Sequence, residues 1–203
     1  MGLISNGTTL FDAGTMSVGG SMVFIKKLTA SSSGTLTFHH GTSSVILDST
    51  FKEYLFTFNN IHPSAVAKLS FQANTVGASG FNETITSTSF AAYHTEDNSA
   101  TTLEYDGGQD QAQGTGFQPM CVTGGINTGN DSSGSGSLHL FNPSSTTFVK
   151  HFISRFGFVG GSDYQTDAYV AGYINTTAAI DEIQFKLNTG NIDAGDICLY
   201  GIS

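Results

Sequence analysis

Period-two alternation of apolar and polar residues, repeated along most of the chain, most limits what this sequence can fold into. It is clearest near the end, where Ile183, Phe185 and Leu187 alternate with Gln184 and Lys186. Such spacing belongs to a strand with one buried face. After Asn188-Thr189-Gly190-Asn191, residues that tolerate the positive φ of a turn, a second run places Ile197, Leu199 and Gly201 on one side and Cys198, Tyr200 and Ile202 on the other. The two runs read as a closing hairpin, with Ile183, Phe185, Leu187, Ile197 and Leu199 as core. No segment repeats apolar residues at i, i+3 and i+4 over a helical length; residues 176–183 have room for a turn or two of helix.

Further strands are expected at 22–28, 35–39, 52–58, 68–73, 84–94, 101–105, 117–122 and 168–174. A hairpin is expected from 137–141 and 146–153 around Asn142-Pro143-Ser144-Ser145. The 52–58 run (Lys-Glu-Tyr-Leu-Phe-Thr-Phe) is the most β-prone in the chain. It reads as a central strand with aromatics on both faces, closed by Pro63 and neighboured by 68–73. Residues 106–116 read as a long polar loop, and 124–136 as a flexible Gly/Ser connection. About ten short strands with Gly, Asn and Ser turns imply an all-β fold, a β-sandwich of jelly-roll type. It would form one domain over 21–203, preceded by a short extended arm over 1–20. Leu3, Ile4, Leu10 and Phe11 are too apolar for a free tail and are expected to pack on the domain or on a neighbour as an assembly arm.

Charged residues make up only 11% of the chain, far below the usual quarter. Ser, Thr, Asn and Gly take their place, as suits a surface covered by neighbouring subunits. The net charge of -9, with no basic cluster longer than Lys26-Lys27, disfavours nucleic acid. Apolar runs such as 91–93 are too short to span a membrane, and the first residues lack the basic-then-apolar order of a signal peptide. The product is therefore expected to be made in a cytoplasm.

Chemistry-bearing motifs are sparse. Cys121 and Cys198 sit in apolar alternations and read as small buried hydrophobes. His39 and His40 point to opposite faces of one strand, and His62, His94, His139 and His151 lack metal-ligand spacing. His139 and His151 lie where a hairpin could bring them together. Asp106-Gly-Gly-Gln-Asp110 offers oxygens but not the spacing of an EF-hand. The Gly/Ser tract at 134–137 lacks the strand-to-helix setting of a nucleophile elbow. No enzyme activity and no cofactor are expected. Aromatics near turns (Tyr93, Tyr105, Phe117, Tyr164, Tyr169) suit a binder, because sugar rings stack on aromatic faces while Asn, Asp and Gln bond their hydroxyls. Tyr93, Tyr105, Asp106 and Asp110 are the expected ligand contacts.

Three segments carry a family resemblance: 52–63 (Lys-Glu-Tyr-Leu-Phe-Thr-Phe-Asn-Asn-Ile-His-Pro), 140–150 (Leu-Phe-Asn-Pro-Ser-Ser-Thr-Thr-Phe-Val-Lys) and 190–202 (Gly-Asn-Ile-Asp-Ala-Gly-Asp-Ile-Cys-Leu-Tyr-Gly-Ile). They resemble small virion proteins and tail-fibre-type β-sandwich domains of tailed phages, common in marine phages. The resemblance implies a virion structural protein, in capsid decoration or a tail fibre. It would be assembled in the host cytoplasm as a homo-oligomer, a trimer among the forms that fit, alongside other virion proteins. It transfers no functional residue. The alternative is a carbohydrate-binding module for a host-surface glycan.

Overall fold

The computed structural model describes residues 3–5, 8–12, 15–16, 21–122 and 124–203, the first three groups as backbone only. Those three are strands β1 (Leu3–Ser5), β2 (Thr8–Asp12) and β3 (Thr15–Met16), paired antiparallel in the order β1-β2-β3. The side chains of Leu3, Ile4, Leu10 and Phe11 lie outside the described residues.

From residue 21 onward the chain forms β4 (Met22–Thr29), β5 (Leu36–His39), β6 (Glu53–Pro63), β7 (Leu69–Thr75), β8 (Ile85–Thr95) and β9 (Thr101–Tyr105). Then come β10 (Gln118–Pro119), β11 (Gly134–Phe141), β12 (Lys150–Gly160), β13 (Tyr164–Ile174), β14 (Ile180–Leu187) and β15 (Ile192–Ile202). An eight-stranded sheet runs β4-β15-β6-β11-β12-β13-β8-β9, and a four-stranded sheet runs β10-β7-β14-β5. Every ladder is antiparallel, and the two sheets pack as a β-sandwich. The order is compatible with a jelly roll whose sheets are β4-β15-β6-β11 and β5-β14-β7-β10, with β12, β13, β8 and β9 extending the first. No described helix is long and apolar enough to cross a membrane.

The core is a layer of rings supplied by inward positions of both sheets. Phe185 on β14 meets Phe56 and Phe58 on β6, each at 5.2 Å between centroids, and Phe38 on β5 at 6.2 Å. Phe71 on β7 reaches across to Phe152 on β12 at 5.0 Å. Most of these contacts are edge-on, the arrangement that ring quadrupoles favour.

Several expectations give way here. The alternation after residue 180 sets its faces as expected, and Ile183, Phe185, Leu187, Ile197 and Leu199 are all buried. The closing hairpin does not form, however. β14 pairs with β7 and β5, while β15 crosses to the other sheet and pairs with β4 and β6. Likewise β7 is not a neighbour of β6 but lies in the opposite sheet. β6 is central, yet Tyr54, Phe56 and Phe58 all point inward and leave Leu55 and Thr57 outside. Residues 176–179 carry no helical turn, and 180–183 begin β14. The 117–122 run shortens to the two residues of β10. The end of the Gly/Ser tract belongs to β11, ordered between β6 and β12. The 137–153 hairpin does form, and β12 runs on to Gly160 before the chain turns into β13.

Candidate functional site

Two surfaces stand out. The first is the outer face of the large sheet. Register places Phe24, Tyr200, Leu55, His139, Ile153 and Ala171 side by side on successive strands, a mostly apolar row across the sheet. Phe24 is 57% exposed and Ile153 52%. Phe90 on β8, itself exposed, lies parallel to the Tyr169 ring with centroids 4.9 Å apart. The ion pairs on this face are internal to it. Lys27 meets Asp196 at 3.1 Å and Arg155 grips Asp167 through two nitrogens, while His139 Nδ1 is hydrogen-bonded to Glu53 Oε1. Arg155 also lies over the Tyr169 ring. His139 stands opposite Ile153, and His151 stands opposite Tyr173, so the two histidines are not directly paired.

The second surface is a cleft on the inner side. The inner face of β8 is covered over only part of its length. Burial along β8 accordingly falls from complete at Ile85 to partial at Tyr93 and Thr95. Here Tyr93, Thr95, Glu104, Tyr164, Thr166 and Val122 line a cleft of about 290 Å³, together with Ala91 and Ala100. The Tyr93 and Tyr164 rings are 5.4 Å apart, inclined at 49°. Burial, with Tyr93 adding to it, raises the Tyr164 pKa above its ordinary value, so its hydroxyl stays protonated at neutral pH. The Thr95 hydroxyl is engaged with Ser99 and Ala100. Thr166 is 1% exposed, and its Oγ1 has no hydrogen-bond partner. Ser89 and Ser154 share that condition but lie outside the cleft lining.

The expected ligand contacts are divided between the two sides. Tyr93 faces Thr102 on the inner side, whereas Tyr105 stands opposite Phe90 on the outer side. The Tyr105 hydroxyl donates to the Asp110 carboxylate, which raises the tyrosine pKa. Asp106 N–H donates to the Ser89 carbonyl, and its Oδ1 accepts from Gly108 N–H. The 106–116 loop is not open. It lies along β8, with Gln111 N–H bonded to Ser87 Oγ and Gln113 bonded to Thr86. So Tyr105, Asp106 and Asp110 form one loop cluster, and Tyr93 belongs to a different site.

Thr166, Glu104 and Val122 are not among the ligand contacts expected from the sequence. Thr166 sits in a stretch whose strand character became clear only through its pairing with β12 and β8. Among the described residues no group of three or more His, Cys, Asp or Glu could hold a metal ion. Both cysteines are free and buried, and burial pushes the Cys121 thiol pKa up to about 12, which suits packing rather than nucleophilic attack. Comparison of the chain with protein-family models, with curated proteins and with solved structures gives no match.

Proposed function

We propose that this protein is a non-enzymatic structural component of a phage virion, a capsid decoration or tail-fibre β-sandwich, that assembles with copies of itself through the outer face of its large sheet. The observation supporting this reading is the apolar row from Phe24 to Ile153 on a face whose Lys27–Asp196 and Arg155–Asp167 ion pairs are internal to it. A chain of net charge -9 repels its own copies at most surfaces. Here two copies meet with little unpaired charge and gain by covering exposed Phe24, Phe90 and Ile153. The virion setting is implied by the sequence resemblance of the 52–63, 140–150 and 190–202 segments.

Sedimentation of the purified protein tests the assembly. Wild type is expected as an oligomer, and the Phe24→Asp/Ile153→Asp variant as a folded monomer. Wild type sedimenting as a monomer at high concentration overturns the assembly reading. Immuno-electron microscopy of purified phage particles tests the setting, with label expected on the capsid or the tail fibres. Absence of the protein from particles overturns it.

A further inference from the structure

We propose that the cleft lined by Tyr93 and Tyr164 binds a neutral sugar unit at the end of a glycan. This inference does not rest on the assembly reading, since the cleft opens on the opposite side of the sheet from the apolar row.

The two tyrosine rings supply an apolar, π-rich wall suited to the C–H face of a pyranose. Val122 and Ala91 extend that wall. Polar groups that a sugar needs stand beside it. The Glu104 carboxylate, placed opposite Ala91 by the β8–β9 ladder, accepts hydrogen bonds from ring hydroxyls. Thr166 contributes a buried hydroxyl without a partner in the protein. An orphaned buried polar group calls for an explanation, and a ligand that fills the cleft supplies one. Because Oγ1 is shielded in this structure, contact with the occupant requires Thr166 to change its χ1 rotamer.

Volume and charge narrow the ligand class. At about 290 Å³ the cleft lies at the small end of ligand pockets, so it takes a chain terminus rather than a long oligosaccharide. Glu104 in the lining, on a protein of net charge -9, disfavours uronic and sialic acids. Neutral hexoses and N-acetylhexosamines remain.

The test is titration of the full chain with galactose, glucose, mannose and N-acetylglucosamine, followed by a neutral-glycan array. Tyrosine emission is a direct reporter, because the chain has no Trp. One neutral sugar is expected to quench it. Thr166→Val, which keeps the side chain's shape, is expected to weaken that sugar about tenfold while leaving the fold intact. Glu104→Gln is expected to weaken it as well, and Tyr93→Ala to abolish binding. Circular dichroism melting of each variant separates loss of the site from loss of the fold. Wild type binding no neutral sugar in solution or on the array overturns the proposal. So does a bound sugar whose affinity is unchanged by both Thr166→Val and Glu104→Gln in folded protein, because that sugar sits elsewhere.

Discussion

The Phe185 ring of the small sheet meets the Phe56 ring of the large sheet at 5.2 Å between centroids and 63° between planes. Phe185 also touches Phe38, Phe58 and Phe71, so one side chain links strands of both layers. Truncating it leaves a cavity that four surrounding rings cannot close. Phe185→Ala is expected to cost about 3–5 kcal/mol. Phe185→Leu, which keeps more of the volume, is expected to cost less. Urea denaturation measures both, and equal losses would show that the site collapses around either side chain.

Lys150 is completely buried, and its ammonium donates to the carbonyl oxygens of Ser145 (2.6 Å), Phe148 (3.1 Å) and Thr176 (3.0 Å). It ties the 142–149 turn to the segment after β13. Lys150→Met preserves the aliphatic stem but strands three acceptors. It is expected to lose about 2–3 kcal/mol, read as a lowered Tm. An unchanged Tm would mean that water replaces the ammonium without penalty.

The Arg155 guanidinium, with help from the Tyr169 hydroxyl, holds the Asp167 pKa below its ordinary value. A carboxylate with a depressed folded pKa contributes stability that is fully present above its unfolded pKa, about 3.9. That contribution disappears as pH falls through the folded value. The stability advantage of wild type over Asp167→Asn is therefore expected to hold at pH 6 and to shrink steadily below about pH 4. Chemical denaturation at a series of pH values checks the sign. An advantage that grows on acidification would contradict the assignment.

Gly172 on β13 has no room for a side chain. A methyl there would overlap the Thr86 carbonyl oxygen of β8 and crowd the Phe152 ring. Since the nearest obstacle is backbone, relief requires the β8–β13 ladder to shift. Gly172→Ala is expected to cost about 1–3 kcal/mol, measured as a lowered urea midpoint. Gly116→Ala is the control, because nothing lies within 4 Å of its added methyl.

Strand faces were legible wherever apolar and polar residues alternate. Ile183, Phe185, Ile197 and Leu199 take the inward positions that their spacing demands. Other positions were harder to read. Tyr54, Phe56 and Phe58 share one face by simple alternation, but a run this apolar hides its period behind Leu55. The stretch around Gly157 and Gly160 lacks the expected strand signal, yet it extends β12 because β13 and β11 hold both of its edges for much of its length. The cleft was legible only through its two tyrosines. Its other members come from β8, the β8–β9 turn, β9, β13 and the segment after β10, which no local pattern connects.

Local spacing specifies that this chain forms strands, where most of them lie and, in the alternating runs, which side chains turn inward. Side-chain periodicity is a local property that survives any arrangement of neighbours. Strand pairing is set by long-range packing. Backbone N–H and C=O groups are alike on every strand, so nothing in the alternation says that β14 joins β7 while β15 crosses to β6. That choice belongs to the packing of the aromatic layer, which places Phe185 between the sheets. The same long-range pairing brings β8, β9 and β13 side by side, where Tyr93, Tyr164, Glu104 and Thr166 meet.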